Sequence, residues 1–153
     1  MDYETRIQEL DEVIRLLISL RKGKKIVHCH GVFDLLHIGH IKYFQEAKSM
    51  GDILVVTITP DRFVSKGPSR PIFNEVLRAE AITSLYVVDY VAINEWPTAI
   101  ETIKALKPNL FVKGPDYKDY GQDITGNIEL EEEAVKSVGG KIAFTSGEVF
   151  SSS

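Results

Sequence analysis

The stretch "HCHGVFDLLHIGHIKYF", residues 28–44, contains all four histidines of this 153-residue chain. His28 and His30 flank Cys29, so on a strand they share one face, and a His-x-His pair could in principle ligate a metal. No third ligand of suitable spacing follows. His28 therefore reads as a packed core histidine and His30 as part of a crevice floor. His37 and His40 differ, because they lie three apart at what reads as a helix start, with both rings on one side of the first turn. The free N–H groups and positive dipole end of such a turn favour phosphate. A histidine pair beside them can donate hydrogen bonds that strengthen as negative charge builds in phosphoryl-type transfer. Gly31 lets the backbone turn and approach a ligand closely, and Gly39 keeps space open between the rings. On the residues alone, the pair could equally be capping and packing groups. Asp34 has two readings, one fixing the loop or a histidine tautomer, the other bonding its own backbone in an Asx turn.

These residues need a strand to deliver them and a helix to receive them. "KKIVHCHGVF" gives a short buried strand from about Ile26 to His30, and "IGHIKYFQEAKSMG" gives a helix stopped by Gly51. The strand "DILVVTIT" runs into "PDRFVSKGPSRP", a proline- and glycine-bearing loop that holds Lys66 and Arg70. "FNEVLRAEAITSL" reads as helix, "YVVDYVAI" as strand, "PTAIETIKALK" as helix and "NLFVKG" as strand. "GNIELEEEAVKSVGG" reads as a helix whose "ELEEE" run is a solvated face, and "KIAFTS" as a last strand. Before all of these, Ile7, Leu10, Val13, Ile14, Leu17 and Leu20 mark one face of an amphipathic helix spanning about Tyr3 to Arg21. Strands alternating with helices predict an α/β fold: a Rossmann-like, doubly wound parallel sheet of about five strands with helices on both faces, plus the N-terminal helix. The expected division is 1–24 for that helix and 25–153 for one domain. In such sheets ligands bind at the strands' C-terminal ends, where strand order reverses, so "HGVFDLLHIGH" falls at the expected site.

Composition narrows the partners. A formal net charge of −4 argues against a wide phosphate-backbone footprint, so nucleic acid is not expected, while a local pocket could still hold a small phosphorylated ligand. The single cysteine, Cys29, reads as a buried thiol in a reducing compartment. No apolar run approaches the roughly 18 residues of a membrane helix and no secretory leader opens the chain, which predicts a cytoplasmic protein without membrane association. A Rossmann dehydrogenase is not expected, since no G-x-G-x-x-G follows the first strand.

The segment Gly31–His40 resembles the signature of the cytidylyltransferase-like nucleotidyltransferase superfamily, a His-x-Gly-His sequence after a Gly-x-Phe-Asp turn. Class I aminoacyl-tRNA synthetases share His-x-Gly-His but need a much larger chain and a Lys-Met-Ser-Lys-Ser-like signature. "TPDRFVSKGPSRPIFN", "VVDYVAINEWPTAIETIKALKPNLFVKGPDY" and "FTSGEVFSSS" look, in order and spacing, like the nucleotidyltransferase domain of bifunctional heptose-phosphate kinase/nucleotidyltransferases. This resemblance covers about Ile26 to Ser153. It implies nucleotidyl transfer from CTP or ATP to a heptose-1-phosphate-like sugar phosphate with release of pyrophosphate. A glycerol-3-phosphate-type cytidylyltransferase, or a non-catalytic nucleotide-binding domain of a larger kinase fusion, are the alternatives.

The resemblance implies roles residue by residue. His37 and His40 would hold the triphosphate in the transition state, with Lys66 and Lys113 as further catalytic cations. Gly31, Val32, Phe33, Asp34, Gly39, Gly114 and Asp116 would line the nucleotide, and Ser151, Ser152 and Ser153 would meet its β- and γ-phosphates at a helix start. Lys66, Arg70 and Arg78 would face the acceptor phosphate. Mg²⁺, held mainly by substrate phosphates and water, is the expected cofactor, and no dedicated metal site is expected. A homodimer and fusion to a sugar kinase are also implied. The terminal "FSSS" reads as a helix cap whose helix would continue past Ser153.

Overall fold

A computed structural model of the chain describes residues 7–64, 71–115 and 127–147. Eleven elements follow in chain order: α1 (Leu10–Leu20), β1 (Ile26–Gly31), α2 (Ile38–Ser49), β2 (Ile53–Ile58), a 3₁₀ turn (Asp61–Phe63), α3 (Glu75–Thr83), β3 (Tyr90–Ile93), α4 (Ile100–Leu106), β4 (Leu110–Lys113), α5 (Asn127–Ser137) and β5 (Lys141–Phe144). The five strands form one parallel sheet in the order β3-β2-β1-β4-β5. This is the expected doubly wound architecture, and its strand order reverses between β1 and β4.

Both faces are covered by apolar layers. On one, Tyr43, Phe44 and Ala47 of α2 and Ala79 and Ile82 of α3 pack on Val27, Cys29, Leu54, Val56 and Ile58. On the other, Leu10, Val13 and Leu17 of α1 meet Ile26, Val55 and Ala92, while Ile103 of α4 and Ala134 and Val135 of α5 surround Phe111. The two central strands β1 and β2 are buried along most of their length, which is why they read as continuous apolar runs instead of alternating ones.

Two boundaries and one helix face depart from the sequence reading. Ile7, assigned by its spacing to the helix, lies in an extended segment that bridges Val91 in parallel, with Gln8 N–H donating to the Val91 carbonyl at 3.0 Å. Residues 3–6 of the expected helix lie outside the described residues. β3 begins at Tyr90 and not at Tyr86, because the chain leaves α3 through turns closed by Leu85 N–H on Ile82 O and Val88 N–H on Leu85 O. Asp89 ends that descent with its carboxylate on the Leu54 N–H and the Lys48 ammonium. Finally, "ELEEE" is not uniformly solvated: Ile128, Glu131, Ala134 and Val135 form the buried face of α5.

Candidate active site

The site is built around the start of α2. His37 is its N-cap, and the Nδ1 of His37 accepts the Gly39 N–H at 3.0 Å. The Nδ1 of His40 in turn accepts the His37 N–H at 3.3 Å. This is a reciprocal capping box made by two imidazoles in place of the usual Ser/Thr and Glu. The capping and functional readings of the pair are therefore not exclusive. An Nδ1 that accepts carries no proton, so each neutral ring bears its proton on Nε2, on the edge away from the capped backbone. The rings lie 4.1 Å apart between centroids, at the end of the helix that attracts anions.

Glycine is required at two places here for steric reasons. A Cβ at Gly39 would lie 2.6 Å from Cε1 of His37, so only glycine lets that ring fold back onto its own helix turn. A Cβ at Gly31 would lie 2.7 Å from Cζ of Phe33. Gly31 still pairs with Ile58 in the sheet, so what its missing side chain makes room for is the Phe33 ring. Phe33 has φ = 52°, a conformation rare outside glycine, and its ring stands edge-on to Phe44 and His40 at 5.1 and 5.7 Å. The strained turn is thereby anchored to the helix that carries the histidines. Gly114 meets nothing within 4 Å of an added Cβ, so packing places no demand on it.

Two further residues tie this turn to the segment after β2. The Asp34 carboxylate accepts the N–H groups of Ile72 and Phe73 at 2.8 and 2.9 Å, so it fastens one loop to another across 38 positions. Arg78 has a fully buried side chain, and its guanidinium donates to Phe73 O, Val32 O, Thr59 O and the Asp61 carboxylate, at 2.7–3.0 Å. Arg78, expected to face the acceptor phosphate, thus lies inside the wall that separates the nucleotide turn from the β2 loop.

Beneath the turn runs a chain of polar groups. Thr59 hydroxyl donates to Gly31 O, His30 Nε2 lies 3.4 Å from Thr59 Oγ1, and Thr57 Oγ1 is 2.8 Å from both His30 Nδ1 and His28 Nε2. With Thr59 committed to Gly31, protons can be assigned in one direction only, from His28 Nε2–H through Thr57 to His30 and on to Thr59. His28 Nδ1 remains a buried acceptor without a partner. Burial drives the pKa of His28 well below the ordinary value and that of His30 to about 3, with the Lys113 charge adding to both, so both rings are neutral. His28 is the core histidine expected of it, and His30 lies half-buried above it.

The other wall comes from β4, β5 and α2. Tyr43 hydroxyl donates to Val112 O at 2.5 Å, one residue before Lys113, and Glu46 receives the N–H of Ser146 at 2.9 Å and its hydroxyl at 3.3 Å. The helix bearing the histidines thus also registers the ends of β4 and β5. Lys113 pairs with Glu131 of α5 at 3.2 Å, with side chains 14% and 6% exposed. Among the described residues no group of three or more His, Cys, Asp or Glu converges on a metal-sized space. Lys66, Arg70, Asp116, Ser151, Ser152 and Ser153 lie outside the described residues. Cavities of about 340 and 300 Å³ lie elsewhere, one at the N-terminal edge of the sheet beside Arg21 and Lys107, the other between α4 and α5.

A family model described as cytidylyltransferase-like matches residues 28–153, from the first strand histidine onward. The chain belongs to the cytidylyltransferase-like family. Relatives of this family include the bifunctional protein HldE of Campylobacter jejuni subsp. doylei, 44% identical over 135 residues, which cover 85% of this chain and 29% of that protein. The bifunctional protein HldE of Aliarcobacter butzleri is 45% identical over 141 residues, covering 90% and 29%. The chain therefore spans less than a third of the length of these curated relatives. The lipopolysaccharide core biosynthesis protein of Thermoplasma volcanium superposes with a TM-score of 0.66 at 33% identity, covering 80% of this chain and 96% of that one. A pantoate-beta-alanine ligase of Francisella tularensis, at 21% identity and TM-score 0.64 over 91% of this chain and 66% of its own, shares the fold. The resemblance carried by Gly31–His40 and the later motifs is thus borne out.

Thr57, Tyr43, Glu46 and Glu131 were not singled out by the sequence. Only Glu131 left a signal: it falls three residues after Ile128 and three before Ala134, on the apolar stripe of its helix.

Proposed function

We propose that this domain transfers a nucleotidyl group from CTP or ATP to a heptose-1-phosphate-like sugar phosphate and releases pyrophosphate. The observation that carries this reading is the reciprocal histidine cap, which fixes both Nδ1 atoms on the α2 backbone and so sets both imidazoles at a helix N-terminus. An oxygen of the acceptor phosphate attacks the α-phosphorus, the bond from that phosphorus to the β-phosphate oxygen breaks, and pyrophosphate leaves with the electron pair. His37 and His40 donate to the oxygens on which charge builds, and the N–H groups of the α2 start bind the same anion. Lys113 brings a cation to the nucleotide side, and Lys66 and Arg70 bring cations to the acceptor. Asp34 and Arg78 act indirectly, by holding the two loops in register.

Mg²⁺ fits this arrangement as a hard cation held by phosphate and water oxygens, since the side chains at the α2 start offer imidazole nitrogens and, among the described residues, no cluster of three or more His, Cys, Asp or Glu surrounds them. When bound, it supplies charge neutralisation to the triphosphate. The similarity to bifunctional relatives supports fusion to a sugar kinase domain in the full-length protein. Nucleoside triphosphate supply favours the cytoplasm, and no helix of the described residues is long and apolar enough to cross a membrane. An exposed apolar patch of Leu35, Ile72, Phe73, Val76 and Leu77 beside the Asp34 clasp supports a homodimer, which light scattering tests. For the activity itself, pyrophosphate release is measured over a panel of nucleotides and sugar phosphates. Release with CTP or ATP that requires a heptose 1-phosphate supports the reading, and absence of release with every pair contradicts it.

A further inference from the structure

Glu131 stands in a run, "ELEEE", whose composition suits a solvated helix face, yet it is only 5% exposed and lies on the apolar stripe of α5. Its carboxylate lies 3.2 Å from the ammonium of Lys113, whose Nζ also sits 5.6 Å from the centre of the Phe111 ring. A buried ion pair of this kind is a poor device for stability alone, since an apolar pair of similar volume serves as well or better. Its location suggests another purpose. Lys113 ends β4, the strand beside β1 at the reversal of strand order, and so faces the edge where ligands bind. The titratable groups of β1 that feel the Lys113 charge, His28, Cys29 and His30, are all held uncharged by burial and add no negative charge to balance the ammonium.

We propose that Glu131 is a positioning residue for nucleotidyl transfer: its carboxylate fixes the Lys113 ammonium at the end of β4, so that the cation meets the triphosphate from one prepared position. This rests on the reading that Lys113 faces the nucleotide. Preorganised charge lowers a barrier more than mobile charge does, because no reorganisation is needed as the transition state forms. Glu131 itself is an anion beside an anionic ligand, so it weakens ground-state binding while it improves turnover. The two effects have opposite signs, and this separates positioning from structural support.

The test uses Glu131→Gln, Glu131→Asp, Lys113→Met and the Lys113→Met/Glu131→Gln double variant, with the Mg²⁺ complexes of CTP and ATP and a heptose 1-phosphate. Glu131→Gln is expected to lower kcat by about tenfold or more while KM for the nucleotide stays level or falls. Glu131→Asp, which keeps the charge, should restore part of kcat, and the double variant should be no slower than Lys113→Met alone. Wild-type kcat in Glu131→Gln, a joint loss of kcat, affinity and melting temperature, or additive losses in the double variant would each overturn the proposal. Should no acceptor yield pyrophosphate, the activity reading fails and calorimetry with the same nucleotides decides this one. Tighter binding by Glu131→Gln, lost in the double variant, supports it; equal or weaker binding in a folded protein overturns it.

Discussion

His37 needs Gly39 as much as its own imidazole, because a methyl group at 39 would occupy the space of the ring's Cε1. Gly39→Ala should therefore displace the ring and break the Gly39 N–H bond to Nδ1, lowering kcat by roughly 10²-fold, since a shift of about 1 Å at a reacting centre can cost that much. The melting temperature should hardly move, because alanine suits a helix turn better than glycine. Steady-state rates beside a thermal melt check both halves. Arg78 predicts the reverse pattern. Arg78→Met leaves three carbonyls and the Asp61 carboxylate without their donor, and should cost on the order of 3 kcal/mol in urea unfolding. The histidine pair and both glycines were legible at this scale, because their spacing across a strand-turn-helix junction is local. Asp34 and Arg78 were visible as candidates but not in their roles, since their partners lie up to 46 positions away and no local pattern encodes such a contact.

At the scale of elements, α2 does more than present histidines. Its Tyr43 and Glu46 grip the backbone ends of β4 and β5, so one helix sets the spacing of three parts of the crevice. The elements themselves were readable from apolar period, glycine stops and prolines. Their limits were less so: Ile7 continues the helical spacing of α1 but is claimed by the edge of β3, because an open strand edge offers backbone partners that the helix start does not. α1 packs Leu10, Val13 and Leu17 against the β2 and β3 side of the sheet, and all three are buried. Leu17→Ala should thus destabilise the whole domain by about 2–5 kcal/mol, read from the denaturant midpoint. A change below about 0.5 kcal/mol, the level of a surface substitution, would mean that α1 is an appendage and not part of the core.

For the molecule as a whole, the neutral histidines under the turn couple stability to pH. Both have folded-state pKa values lowered by burial, His30 to about 3, against about 6.5 in the unfolded chain. Above about pH 6.5 neither state binds the proton, so nothing is lost; as pH falls from there toward 3, the unfolded chain takes up protons that the folded one refuses. Stability should then drop by up to about 1.4 kcal/mol per pH unit for each imidazole, and His30→Gln should flatten that slope between pH 6.5 and 4 in urea titrations. The sheet order explains why all of this converges at one place, since the reversal between β1 and β4 leaves a crevice that two loops and one helix start can line. The central claim is that an acceptor phosphate oxygen attacks the α-phosphorus at the His37–His40 helix start. Its most direct test is ³¹P NMR of the products formed from a heptose 1-phosphate labelled with ¹⁸O in its phosphate. Label in the oxygen bridging sugar phosphate and nucleotide, with unlabelled pyrophosphate and no product from His40→Ala, is the predicted result. Label in the pyrophosphate, or undiminished turnover in His40→Ala, would contradict it.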